Sequence, residues 1–175
     1  MVIGIGGVSR SGKTSLSELI KKHFVLKNDT VVVLHQDAFV FAENQIPKIV
    51  HDGETIVDWE CPESIDFQRF KNEIELSKTQ YQHVITEGLL NFYDTPTNTL
   101  FDKFLFVEIS KSTFLKRRIA DKRWFQNEPA WFIEHVWESY ERYGRTIFDQ
   151  QNAAVLTLSG ETNFDEKRVF DFLKK

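Results

Sequence analysis

Gly7-Val8-Ser9-Arg10-Ser11-Gly12-Lys13-Thr14 satisfies the pattern G-x-x-x-x-G-K-[S/T] at every position. Its flanks decide how it is read. Residues 2–5 (VIGI) form a short, β-branched apolar run ended by Gly6 and Gly7, the pattern of a strand buried on both faces. Leu16, Leu19, Ile20 and Phe24 recur at i, i+3, i+4 and i+8, which places an apolar stripe on a helix over about residues 12–27. Between a strand and a helix, such a loop turns successive backbone N–H groups toward an anion, and the helix adds its positive end. The expected occupant is a nucleotide polyphosphate held by Gly7, Ser9, Arg10, Ser11, Gly12, Lys13, Thr14 and Ser15. Lys13 is placed to reach the β- and γ-phosphates and the Thr14 hydroxyl to ligate Mg²⁺. GTPases, motor ATPases and small-molecule kinases share this loop, so the reaction is decided elsewhere.

Four further apolar runs read as strands: TVVVL at 30–34, VIT at 84–86, FLFVEI at 104–109 and AVLTLS at 154–159. Between them Phe67, Phe70 and Ile74 share one helical face; Ile133, Val136, Trp137, Tyr140 and Ile147 follow helical spacing over four turns; Val169, Phe170 and Leu173 mark a last helix. This alternation predicts an α/β fold with a five-stranded parallel sheet covered on both faces, because parallel strands need crossovers. At 175 residues one domain is expected. Residues 41–58 and 125–131 read as irregular, and long loops in a compact domain are candidates for substrate contact.

Composition removes whole classes of function. With 41% hydrophobic and 27% charged residues, disorder and fibrous repetition do not fit. A net charge of −4 gives no global basic field, so no nucleic-acid partner is expected and any anion site is local. Cys61 is the sole cysteine and cannot close an internal disulfide. No run approaches the length of a membrane span and no signal segment is visible, so a cytoplasmic protein without a membrane partner is expected. Monomer and homodimer both stay open.

Two carboxylates stand at strand ends. Asp37, in HQDAFV, follows the second strand, where it could accept a proton from a hydroxyl attacking the γ-phosphate; helix caps and turns use Asp equally well. Glu87 closes HVITEG and is the candidate acidic partner of Mg²⁺, since an acid ending an apolar strand is costly to bury unpaired. Lys116, Arg117, Arg118, Lys122 and Arg123 cluster on one predicted helix, from which Arg118, Lys122 or Arg123 could neutralise charge on a transferred phosphoryl group. The five histidines show no metal-ligand spacing and are assigned no catalytic work; Ser9 and Ser11 lack the partners of a hydrolase triad.

These segments, GGVSRSGKTSL, HQDAFV, DWECPESIDF, VITEGLLNFY, FLKRRIADKRWF, HVWESYERY and LTLSG, together resemble the uridine kinase-like group of phosphate-loop kinases, and among them the nicotinamide riboside kinases. The resemblance runs nearly end to end. It implies a three-layer P-loop kinase fold with a short helical lid at about 118–134, and Mg²⁺-ATP-dependent phosphorylation of a nucleoside 5'-hydroxyl. Nicotinamide riboside is the expected acceptor, uridine or cytidine the alternative, and a regulatory NTPase the more distant one. It further implies that Asp37 acts as base, that Glu60 grips the ribose 2'- and 3'-hydroxyls, and that Trp59 stacks on the base with Trp124 or Phe125 opposite. Phe39 would lie beside the substrate, and Gly160 and Thr162 would border the adenine. Four positions depart from the family pattern: Glu60 stands where Asp is usual, Cys61 where uridine kinases carry a histidine, and Ile119 and Asp121 where relatives often carry arginines. A pyridinium ring between tryptophan faces would gain ~0.5–2 kcal/mol per good contact, and Asp58 and Glu60 flanking Trp59 would add to the preference for a cation.

Overall fold

The computed structural model describes residues 1–121, 129–150 and 154–174. Five strands form one parallel sheet: β1 (Val2–Gly7), β2 (Val31–His35), β5 (His83–Gly88), β6 (Lys103–Glu108) and β7 (Val155–Ser159), in the order β2-β5-β1-β6-β7. All six residues of β1 are buried, as its apolar run demands of a central strand. Two apolar layers cover the sheet. On one face Leu16, Ile20 and Phe24 of α1 (Lys13–Val25) and Val169 and Leu173 of α6 (Glu166–Lys174) pack with Ile3, Ile5, Ile85 and Leu105. On the other, Phe70 and Ile74 of α2 (Phe67–Gln80), Phe114 of α4 (Lys111–Ala120) and Val136 of α5 (Ala130–Ser139) pack with Phe92 and Phe106. A short α3 (Thr95–Asn98) precedes β6. The result is the three-layer α/β arrangement that the alternation predicts. No helix among the described residues is long and apolar enough to cross a membrane.

The chain leaves β1 toward β2 on one side and returns to the other side for β6 and β7, so the order reverses around β1. Crevices at the carboxyl ends of strands beside such a reversal are where open α/β sheets bind ligands.

Two segments correct the sequence reading. Residues 41–58 are not wholly irregular: β3 (Lys48–His51) and β4 (Glu54–Val57) pair antiparallel across Asp52 and Gly53, whose φ values of 49° and 81° define a primed turn. The helix carrying Ile133 does not run on to Ile147. After Ser139 it widens into a π-turn at Tyr140–Gly144 and tightens into a 3₁₀ turn at Thr146–Asp149, so Ile147 reaches the core through a different helical period.

The outer end of α1 holds two histidines against rings. His23 stacks on Phe170 with centroids 3.7 Å apart, and His83 stacks on Phe24 at the same distance. Burial lowers both pKa values below the ordinary 6.5. The unfolded chain therefore takes up protons first as pH falls, and the stability present above 6.5 is lost through the lower folded values. Thermal melts should show Tm dropping on acidification below 6.5, with a shallower drop in His83→Phe; an identical acid profile in that variant would contradict this account.

Candidate active site

The loop after β1 has the backbone its glycines permit. Gly7 and Gly12 adopt φ of 145° and 107°, and Arg10 between them is left-handed at 64°. Gly12 caps α1 without a side chain, which leaves the first-turn amides facing the loop. The Ser11 hydroxyl is buried with no hydrogen-bond partner among the described residues. Lys13 Nζ donates to the Val8 carbonyl at 3.1 Å. Burial pushes its pKa down, opposed by the negative charges of Glu87, Asp37 and Glu60 in that order. An amide-lined cradle with a desolvated ammonium is built for polyanionic oxygen.

Beside it, Glu87 Oε1 accepts from the Thr14 hydroxyl at 2.8 Å and from His35 Nδ1 at 2.7 Å. Register explains the second contact, because His35 on β2 lies directly opposite Glu87 on β5. The hard oxygens of Thr14 and Glu87, next to a phosphate cradle, suit Mg²⁺. Among the described residues no cluster of three or more His, Cys, Asp or Glu could hold a metal by itself.

A cavity of about 540 Å³ opens from this cluster, and its walls include Ser9, Lys13, Thr14, Asp37, Trp59, Glu60, Glu87 and Arg118. Asp37 arrives on the 3₁₀ turn Gln36–Phe39 that ends β2, and is exposed. Gln36 anchors that turn by accepting from the Leu90 amide at 3.0 Å, which ties the QD and EGLL segments together. Trp59 is 40% exposed and Glu60 half-buried. Their loop is held from behind: Asp58 Oδ1 accepts from the Glu60 amide at 3.2 Å and hydrogen-bonds His135 Nε2 of α5 at 2.8 Å, while Ser64 Oγ donates to the Trp59 carbonyl at 3.0 Å. Burial raises the Glu60 pKa to about 7, and Arg118 is the main charge resisting that rise. Cys61 is buried and donates to the Asp58 carbonyl at 3.1 Å, its thiol pushed up to about 11, so it is a packing residue of this loop.

On the other side of the cradle Arg118 donates to Ser9 Oγ at 2.7 Å, and Arg117 bridges the carbonyls of Arg10 (3.0 Å) and Gly160 (2.8 Å). Asp121 pairs with Arg10 at 2.7 Å. A second cavity, of about 830 Å³, is lined by Arg10, Gly12, Lys13, Thr14, Ser15, Arg117, Ala120 and Asp121. Gly160 abuts the cradle, whereas Thr162 is exposed beyond it. Phe39 does not face the cavity as expected. It is buried against Phe70 at 5.1 Å, because the 3₁₀ turn points it inward, and Val40 lines the cavity instead. Lys122, Arg123, Trp124 and Phe125 lie outside the described residues. His35 and His135 were given no role by the sequence reading, and Asp58 was read as a charge flanking Trp59, not as a support of its loop; the partners of the two histidines are 52 and 77 residues away, and only folding brings them together.

Sheet order and cradle place the chain among the phosphate-loop nucleotide-binding proteins. No model of a known protein family matches it. It is 30% identical over 191 residues to the uridine kinase of Ureaplasma parvum serovar 3, covering 93% of this chain and 90% of that one. It is 28% identical over 178 residues to nicotinamide riboside kinase 2 of Mus musculus, covering 91% and 87%. Among solved structures, shikimate kinase from Aquifex aeolicus superposes with a TM-score of 0.54 at 18% identity, over 99% of this chain and 96% of that one, which shows the shared fold. The chain belongs to the uridine kinase-like family of phosphate-loop kinases, in which nicotinamide riboside kinases also fall.

Proposed function

We propose that the chain transfers the γ-phosphoryl group of ATP to the 5'-hydroxyl of nicotinamide riboside, giving nicotinamide mononucleotide. The observation that carries this is one cavity in which Asp37, Glu60 and Trp59 face the cradle lysine. Nicotinamide riboside kinases among its relatives support the choice of acceptor. The loop amides, Lys13 and Ser11 bind the triphosphate. Asp37 takes the proton of the 5'-hydroxyl as that oxygen bonds to the γ-phosphorus and the bond to the β-phosphate's bridging oxygen breaks. Arg118, held on Ser9, neutralises charge on the transferred group. Thr14 and Glu87 would hold Mg²⁺, which supplies charge neutralisation on the phosphates. Glu60 accepts from the ribose hydroxyls, and Trp59 offers its half-exposed face to the cationic ring.

A panel of nicotinamide riboside, uridine, cytidine and adenosine with Mg²⁺ and ATP tests the acceptor. Nicotinamide riboside should give the highest kcat/KM, and Trp59→Ala should reduce that value more than it reduces the value for uridine. Faster turnover of uridine would transfer the assignment to the second reading, uridine kinase, which the 30% identical relative favours.

The ionised form of Glu60 is the one that accepts two hydroxyl donors and attracts a cation. With its pKa at about 7, kcat/KM for the riboside should climb as pH rises through 7. Glu60→Gln should flatten that limb. A wild-type profile without a step near neutrality would remove Glu60 from the ribose.

A further inference from the structure

We propose that His35 is a positioning residue for the metal carboxylate, fixing Glu87 in the orientation it needs when the nucleotide and its divalent cation are bound. This rests on the assignment of Thr14 and Glu87 to the metal. Glu87 is only 7% exposed, so its ionised carboxylate requires donors. The structure supplies two on one oxygen, the Thr14 hydroxyl and His35 Nδ1, at 2.8 and 2.7 Å. Because an ionised carboxylate only accepts, Nδ1 carries the hydrogen.

The two donors differ in what happens on loading. A cation at Thr14 would take a lone pair of its oxygen and leave the hydroxyl hydrogen able to donate, but that donor would move with the cation, and His35 is the one that stays in place. His35 can stay because it belongs to a different element. It ends β2, opposite Glu87 in the parallel β2–β5 register, and is not part of the cradle that receives the phosphates. Lys13 is a competing cation: it lines the same cavity as Glu87, whose charge acts on it more strongly than that of Asp37 or Glu60. Without His35, Glu87 is free to turn toward that ammonium and away from the metal position. Hydrogen bonds from outside the ligand set typically change metal affinity by about 10- to 100-fold when removed.

The test measures Mn²⁺ binding by electron paramagnetic resonance in the presence of the non-hydrolysable nucleotide AMP-PNP, for wild type, His35→Ala and His35→Asn. His35→Ala should weaken Mn²⁺ by about 10-fold or more, with AMP-PNP affinity in EDTA unchanged. His35→Asn, whose amide can donate from near the Nδ1 position, should restore most of the loss and also serves if the alanine variant folds poorly. Mn²⁺ affinity that is the same in all three proteins overturns the role of His35 while leaving the kinase reading intact. Equal loss of metal-free and metal-bound nucleotide affinity also overturns it, because the effect would then be on the cradle. Wild-type protein whose AMP-PNP complex binds no Mn²⁺ overturns the metal assignment and this inference with it. Nucleoside choice has no bearing on any of these outcomes.

Discussion

Asp37→Asn should lower kcat for riboside phosphorylation by ~10²-fold or more, while ATP affinity stays near that of the wild type. A hundredfold is about 2.7 kcal/mol of transition-state stabilisation, the scale of a lost general base. The asymmetry follows from where the residue sits. Asp37 lines the acceptor cavity on the turn after β2 and is absent from the walls of the cavity on the far side of the cradle. Its charge reaches Lys13 but ranks below that of Glu87, so removing it disturbs the phosphate grip less than it disturbs the acceptor. Asn keeps the size and one acceptor oxygen, so a merely capping Asp37 would tolerate it. Steady-state turnover with ATP titrated by calorimetry separates the cases: unchanged kcat would end the base assignment, and parallel loss of ATP binding would move Asp37 into the cradle.

The second large effect is expected from a residue with no chemistry. Gly160 follows β7 with its amide donating to Glu108 at 2.8 Å and its carbonyl held by Arg117. A Cβ there would overlap the Ser11 carbonyl oxygen and come within 2.8 Å of Val107 Cγ1 and 3.0 Å of Ile109 Cγ2. The first obstacle is backbone of the phosphate cradle, so relief requires moving that loop or β7. Gly160→Ala should cost ~1–3 kcal/mol of stability, as overpacking does, and raise KM for ATP by about an order of magnitude through the displaced Ser11–Gly12 segment. KM for the riboside should change far less, because Trp59 and Glu60 are held from Asp58 and Ser64 instead. Denaturant melts and both KM values check this. A fully stable variant with wild-type ATP kinetics would mean that the cradle accommodates the methyl group without cost.

The sheet was legible because a strand buried on both faces must be an unbroken apolar run, and TVVVL, FLFVEI and AVLTLS have few other uses. The cradle was legible because its chemistry is local to eight residues. Polar stretches were harder. The β3–β4 hairpin is short and its strands are largely exposed, so no apolar alternation marks it; Asp52-Gly53 was its one strong signal. The π-turn at Tyr140 was hidden because a single inserted residue shifts the helical phase without changing composition. Phe39 was expected beside the substrate from the family resemblance, but a 3₁₀ turn rotates successive residues by about 120°, so Phe39 goes to the core while Asp37 stays exposed. His35 and His135 illustrate a further limit. A histidine has no sequence pattern when its partner is one carboxylate on another element: strand register brings His35 to Glu87, and the packing of α5 brings His135 to Asp58.

Among the described residues, the two cavities flanking the cradle share Arg10, Lys13 and Thr14 in their walls. On the proposed assignment, donor and acceptor therefore enter by separate doors and meet across one lysine. Neither has to leave for the other to arrive, so binding need follow no compulsory order. Water can reach the same meeting point whenever the acceptor door stands empty, so sparing ATP rests in part on how poorly water fills the place of a sugar alcohol.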